Sequence, residues 1–233
     1  MSRIVEMSGV SKKYKRGGEV LTVLDRMDFV VEAQDFVALM GPSGSGKSTI
    51  LNIVGGLDRP DEGQVRVAGA DLGGMSSSAL AKWRANHIGF VFQSFNLVPV
   101  LTAMENVMLP LLLTPLGAKQ RKEQAAFALE VVGLSDRKDH RPRQLSGGQE
   151  QRVAIARAIA TDPDLVLADE PTGDLDRESA TAVMELLERL NNELGKTFVV
   201  VTHDPMVGER ARRTLHLDKG VLVDSGQGAG AAP

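Results

Sequence analysis

The segment that most restricts what this chain can become is Gly41-Pro42-Ser43-Gly44-Ser45-Gly46-Lys47-Ser48-Thr49. It follows the apolar run Phe36-Val37-Ala38-Leu39-Met40, which reads as a short buried strand, and leads into Ile50-Leu51-Asn52-Ile53-Val54, which reads as the start of a helix. Glycines at the G-x-x-x-x-G-K-S spacing let the backbone curl so that successive N–H groups point inward. The helix N-terminus adds a partial positive charge of about half an elementary charge. The result is a strand, loop and helix unit for gripping phosphates, and it implies nucleotide binding within an α/β fold. Lys47 is expected to reach the terminal phosphates and the Ser48 hydroxyl to coordinate Mg²⁺.

The 233 residues, 42% of them hydrophobic, suffice for one substantial core. A net charge of -3 argues against general nucleic-acid binding, which needs a concentrated basic surface. There are no cysteines, so disulfides and thiolate metal sites are excluded, which fits a reducing compartment. The opening Met1-Ser2-Arg3-Ile4-Val5-Glu6 lacks the apolar core of a signal peptide. Val107-Met108-Leu109-Pro110-Leu111-Leu112-Leu113 falls short of the ~18 to 20 residues that span a bilayer, so any membrane task requires a partner.

Ahead of the phosphate loop, residues 3–8 and 20–32 carry mixed apolar patterns that suggest antiparallel strands joined through a turn region at Gly17-Gly18, with Tyr14, the chain's one tyrosine, just before that break. Turn residues fill positions 55–63, and Gln64-Val65-Arg66-Val67-Ala68-Gly69 reads as a half-exposed strand. Residues 76–84 read as a helix on which Trp83 is a packing residue. His87-Ile88-Gly89-Phe90-Val91-Phe92-Gln93 reads as a buried strand that delivers Gln93 at its C-terminal end, the edge where ligands collect in open α/β sheets. From about residue 95 to 160 the pattern turns helical, an insertion into a sheet protein. Pro110 and Pro115 are expected to break its first half.

A second glycine-containing helix start follows, Leu145-Ser146-Gly147-Gly148-Gln149, again suited to an anion. Asp164-Leu165-Val166-Leu167-Ala168-Asp169-Glu170 reads as a fully buried parallel strand ending in two carboxylates. Asp169 is expected to hold Mg²⁺ and Glu170 to accept a proton from an attacking water. Lys196-Thr197-Phe198-Val199-Val200-Val201-Thr202-His203 repeats the design and places His203 to bond a terminal phosphate. His87, His140 and His216 read as structural or surface residues. Asp218-Lys219-Gly220 reads as a hairpin turn, and residues 226–233 as a disordered Gly/Ala-rich tail.

Residues 41–49, Gln93, residues 145–149, residues 164–170, residues 173–176 and His203 stand in the order found in ABC-type ATPases, and the chain resembles an ABC transporter nucleotide-binding subunit over residues 3–224. That resemblance implies a P-loop NTPase cassette spanning residues 1–225. It would combine a RecA-like mixed-sheet core, an N-terminal antiparallel β subdomain and a helical subdomain at about residues 95–160. It implies that Tyr14 stacks on the adenine of ATP, and that Gln93 joins the Mg²⁺ site to the helical insertion. Asp174 and Asp176 would lie at a subunit contact. It further implies a head-to-tail pair of identical chains, each ATP held between the Lys47 loop of one and Ser146, Gly147, Gly148 and Gln149 of the other. Integral membrane permease subunits would be the further partners, with the cassette at the cytoplasmic face of the inner membrane.

Two departures from the usual pattern are Glu150, where glutamine is commoner, and Gly173-Asp174-Leu175-Asp176 in place of Ser-Ala-Leu-Asp. The Gly-Gly-Leu-Asp at residues 55–58, the run at residues 104–111 and His140-Arg141-Pro142 resemble the branch that serves lipoprotein release, macrolide or peptide export and cell-division permeases. Soluble cassettes of translation or DNA repair are disfavoured by the single cassette and the short span between Lys47 and Ser146. A clamp that signals across the membrane with little transport carries the same motifs.

Overall fold

A computed structural model describes residues 2–224, so the expected tail lies outside the described residues. Two long strands open the chain, β1 (Arg3–Arg16) and β2 (Glu19–Glu32), followed by β3 (Phe36–Met40), α1 (Lys47–Val54), β4 (Glu62–Val67), β5 (Ala70–Asp71), α2 (Ser77–His87) and β6 (Ile88–Phe92). Then come α3 (Ala103–Leu111), α4 (Ala118–Val131), α5 (Gly147–Ile159), β7 (Leu165–Asp169), α6 (Arg177–Leu194), β8 (Thr197–Thr202), α7 (Pro205–Arg210), β9 (Arg213–Asp218) and β10 (Val221–Asp224).

The strands form two sheets. One is antiparallel, in the order β2-β1-β4-β5; the other runs β10-β9-β3-β8-β7-β6 and is parallel except for β10 at its edge. Covering helices explain why the parallel strands are apolar throughout rather than alternating. All six residues of β8 are buried, and their side chains divide between two cores. Phe198 and Val200 join Phe36, Val166 and Ala168 against α3 to α6, while Val199 and Val201 join Val37, Leu39, Leu165 and Leu167 against α1, α2 and the antiparallel sheet. Each Val, Leu or Phe among them, removed from water, contributes roughly 1.5–3 kcal/mol.

Strand register positions the site. Met40 pairs with Thr202, Val201 with Asp169, and Asp169 with Phe92, so β3, β8, β7 and β6 end on nearly one line. The residues that follow them are Gly41, His203, Glu170 and Gln93. Four segments distant in sequence thus open onto one edge of the sheet, as the sequence reading anticipates.

The helical stretch is interrupted as expected, with α3 ending at Leu111 and α4 starting at Ala118. Pro110 lies inside α3, which continues one residue further to Leu111. Its missing N–H removes a bond only in the last helical turn, where the ladder is about to end. At the other end Thr102 and Glu105 form a reciprocal capping box. His87 closes α2 instead of opening a strand, and its Nδ1 lies 2.5 Å from Asp164 Oδ2, a structural pairing as expected for this residue.

Candidate active site

The loop between β3 and α1 is shaped by two glycines. Gly46 sits at φ 107°, a left-handed conformation that admits glycine readily, and serves as N-cap of α1. At Gly41 a Cβ would stand 2.2 Å from the Leu217 carbonyl oxygen, so only glycine lets the loop pass the end of β9. Inside this curl Lys47 is 8% exposed, and its Nζ donates to the carbonyls of Gly41 at 2.7 Å and Pro42 at 3.0 Å. An ammonium has three protons, so a third remains for an anion.

The loop opens into a cavity of about 690 Å³. Ser43, Gly44, Gly46, Lys47, Ser48 and Thr49 line one side; Gln93, Asp169, Glu170 and His203 line the other. The Ser48 hydroxyl hydrogen-bonds to Asp169. Burial first, and the neighbouring Glu170 charge after it, push the Asp169 carboxyl above its ordinary range against the Ser48 bond and the Lys47 charge.

Glu170 is held in an unusual pose, with φ at 48° immediately beyond β7. Its Oε2 accepts from Thr202 Oγ1 at 3.0 Å, and its Oε1 lies 2.7 Å from His203 Nδ1. Non-glycine residues in this backbone region cost about 1–3 kcal/mol and cluster where surrounding structure serves a reaction. His203 is reached from β8, Glu170 from β7, and the adjacency of those strands makes the pair.

Gln93 donates from Nε2 to Asp174 Oδ1 at 2.7 Å, which leaves its amide oxygen available at the cavity. Asp176 instead caps α6 by accepting from Ser179 N at 2.8 Å. Beyond Gln93 the loop takes left-handed backbone at Phe95 and Asn96, and the Arg157 guanidinium holds both carbonyls at 2.7 and 2.5 Å. The loop that starts at the cavity is therefore clamped to α5.

Ser146, Gly147, Gly148 and Gln149 do not line the cavity. Ser146 caps α5, bonded reciprocally with Gln149, and Gly147 backs onto Leu175 and Phe95. Within one chain the two anion-suited helix starts are thus not brought together. Tyr14 also stands outside the cavity lining; its hydroxyl donates to Asp58 Oδ2 at 2.7 Å.

Residues not singled out by sequence join the site. Leu21, Val23, Phe92, Ser94 and Asn96 line the cavity, and Thr202 holds Glu170. Gln151 on α5 is fully buried and donates from Nε2 to Phe92 O at 3.3 Å and Pro171 O at 2.5 Å, bracing the segments that carry Gln93 and Glu170. A glutamine following Gln149 and Glu150 has no local sign of burial. Its one available signal is the apolar spacing of Val153, Ile155 and Ala156 on the same helix.

A family model described as ABC transporter matches residues 24–173. The chain is 50% identical over 223 residues to the lipoprotein-releasing system ATP-binding protein LolD of Anaeromyxobacter dehalogenans, covering 95% of this chain and 93% of that protein. It is 44% identical over 219 residues to the macrolide export ATP-binding/permease protein MacB of Rhodopseudomonas palustris, covering 94% of this chain and 33% of that longer protein. Its structure matches the ATP-binding cassette MJ0796 of Methanocaldococcus jannaschii, solved as a dimer in a post-hydrolysis state with ADP and Pi. The TM-score is 0.88 at 44% identity, covering 97% of this chain and 100% of that one. With the phosphate loop, paired carboxylates and histidine on one sheet edge, the chain belongs to the ABC transporter family, as an ATP-binding cassette and ATPase.

Proposed function

We propose that this chain is one half of an ATP-driven clamp that powers a membrane permease for extrusion, lipoprotein release or a related macrolide or peptide export task. One observation carries the reading: Lys47, Ser48, Gln93, Asp169, Glu170 and His203 share a single open cavity, while Ser146, Gly147 and Gly148 form an anion-suited helix start elsewhere on the chain. A second copy placed head to tail supplies that start across the γ-phosphate and closes the site. The dimeric state of the MJ0796 cassette supports this arrangement.

Within the closed site Lys47 and the N–H groups of α1 hold the β- and γ-phosphates. Ser48, Gln93 and Asp169 offer the hydroxyl, amide and carboxylate oxygens that would hold Mg²⁺, a hard cation that prefers oxygen ligands. No cluster of three His, Cys, Asp or Glu residues able to hold a metal occurs among the described residues, in keeping with a site completed by the nucleotide. When bound, Mg²⁺ neutralises charge on the phosphates. Glu170, kept in place by Thr202 and His203, accepts a proton from a water whose oxygen bonds to the γ-phosphorus as the bridging P–O bond to ADP breaks. His203 steadies the γ-phosphate. Tyr14 provides a stacking surface for adenine.

The helical insertion is the contact for the permease. Val98, Val100, Leu112 and Leu113 are exposed there beside a cleft of about 250 Å³ lined by Phe90, Phe92, Asn96, Pro110 and Arg157. No helix among the described residues is long and apolar enough to cross a membrane, so an integral membrane partner at the cytoplasmic face of the inner membrane supplies the passage. The resemblance to LolD and to the ATP-binding part of MacB favours extrusion tasks. The test is purification from the native membrane, identification of the co-purified permease, and turnover of the reconstituted complex with candidate cargoes. A chain that brings down no membrane protein, and hydrolyses ATP identically alone and in membranes, would sink the reading.

A further inference from the structure

The nucleotide cavity has phosphate-binding groups at one end, but the groups that hold the proposed base platform lie behind Tyr14. Asp58 stands in the turn after α1. Its Oδ2 accepts from the Tyr14 hydroxyl at 2.7 Å, and its Oδ1 accepts from Lys12 Nζ at 2.8 Å. Lys12 is 8% exposed, also donates to the Arg59 carbonyl at 2.7 Å, and lies 5.1 Å from the centroid of the Tyr14 ring. Leu57 N and Asp58 N both donate to Asn52 O, so this turn is built on the last turn of the helix whose N-terminus forms the phosphate loop.

We infer that Asp58 is a positioning residue for purine nucleotide recognition, fixing the Tyr14 ring at a set distance from the phosphate loop and leaving one ring face for the base. The inference rests on the reading of Tyr14 as the adenine platform. Its geometry has three parts. Asp58 and the phosphate loop belong to one rigid unit, so the ring tied to Asp58 holds a fixed place relative to the phosphates. Lys12 occupies one face of the ring as a cation–π partner, which leaves the opposite face for stacking. The Tyr14 hydroxyl bonds to Asp58 just beyond the C-terminal end of α1, so the ring is fastened to the turn that this helix leads into.

The charge balance agrees with this arrangement. Although partial burial alone raises it, the hydrogen bonds from Lys12 and Tyr14 and from the Arg59 N–H hold the Asp58 carboxyl below its ordinary range. Burial first and the Asp58 bond second raise the Tyr14 phenol, so the hydroxyl stays protonated and keeps donating. A side chain already fixed before the ligand arrives loses no rotamer freedom on binding, and that loss otherwise subtracts from affinity.

Calorimetry with two probes, ATP and inorganic triphosphate, tests this on the full chain carrying Glu170→Gln to prevent turnover. Tyr14→Ala is expected to weaken ATP about tenfold or more, the scale of one base–aromatic stack, and to leave inorganic triphosphate unchanged. Asp58→Ala is expected to weaken ATP about three- to tenfold, again sparing triphosphate, with no further loss when combined with Tyr14→Ala. Asp58→Asn, whose oxygen can stay on Lys12 and the Arg59 N–H while its NH2 donates to the Tyr14 oxygen, should recover most of the ATP affinity. Because the chain has a single tyrosine, its ring resonances report directly. They should shift on adding ATP but not triphosphate, and the shift should shrink in Asp58→Ala. In the otherwise wild-type chain, Asp58→Ala should raise KM for ATP with turnover at saturation changed less than about twofold.

If Asp58→Ala proves too unstable to study, Tyr14→Phe removes the same hydrogen bond from the other side while keeping the ring, and should weaken ATP about as much with triphosphate spared. Unchanged ATP affinity in both Asp58→Ala and Tyr14→Phe, with Tyr14→Ala weakened, overturns the role of Asp58 and leaves the platform standing. Equal loss of ATP and triphosphate in Asp58→Ala overturns it too, because the residue would then act through the phosphate loop. Unchanged ATP affinity in Tyr14→Ala overturns the platform itself.

Discussion

The Oε1 oxygen of Glu170 and the Nδ1 nitrogen of His203 lie 2.7 Å apart, although 33 positions separate the residues in the chain. With Glu170 ionised, Nδ1 must carry the proton of that bond, so Nε2 faces outward as an acceptor in the neutral ring and as a donor in the imidazolium. The proposed base and the proposed phosphate contact thus form one hydrogen-bonded unit, and Thr202 fixes its far side.

Glu170→Gln should lower turnover by about 10²- to 10⁴-fold while ATP still binds, because the amide keeps the shape and the Thr202 bond but cannot take a proton. Size-exclusion chromatography with ATP should then show a trapped closed dimer. A variant that hydrolyses at the normal rate removes Glu170 from the role of base.

Lys47→Ala and Ser146→Arg should each abolish turnover alone. If the Ser146 helix start acts on the other chain's nucleotide, mixed subunits form dimers with one intact site, and random pairing recovers at most about a quarter of the wild-type rate. No recovery on mixing folded subunits points to action within one chain. Loss of the Ser146 cap costs about 1 kcal/mol, so melting curves should accompany the assay.

Gln151→Leu strands the buried Pro171 carbonyl, at about 1–3 kcal/mol, and removes one of the two donors to the Phe92 carbonyl, which keeps Phe95 N. Both carbonyls adjoin segments that carry site residues, so kcat should fall along with the urea midpoint. Wild-type stability and kcat together would show that the brace is dispensable.

Asp169→Asn should raise the melting temperature at neutral pH in the absence of nucleotide, and abolish turnover. The folded-state pKa of Asp169 is raised, chiefly by burial, so its charged form costs stability above that pKa and the cost fades as pH falls through it. The difference in Tm between the two proteins should accordingly shrink from neutral pH toward about pH 4, near the ordinary carboxylate value. A gap that widens on acidification contradicts the assignment.

The sheet was legible because its parallel strands are buried on both faces and so are written as unbroken apolar runs, such as Phe198-Val199-Val200-Val201. The phosphate loop was legible because its backbone path needs glycine at Gly41 and Gly46 and because Lys47 has no other role at that spacing. Pro110 was read as breaking the first half of the insertion, and α3 does end one residue beyond it, with α4 starting only at Ala118. Tyr14 was visible as a lone aromatic, but nothing in β1 announces Asp58 or the position of Lys12 behind the ring.

Local chemistry written along the chain was enough to name the groups: a lysine in a glycine loop, carboxylates at a strand end, a histidine after another strand, and a second capped helix start. Tertiary structure decided which of them meet. Register between β3, β8, β7 and β6 brings Lys47, His203, Glu170 and Gln93 to one cavity, while packing of α5 against Phe95 and Leu175 keeps Ser146 out of it. The physical reason is that strand pairing and side-chain burial are long-range: a residue's type limits the chemistry it can do, but its partner is chosen by whichever elements must share a sheet or a core to leave water.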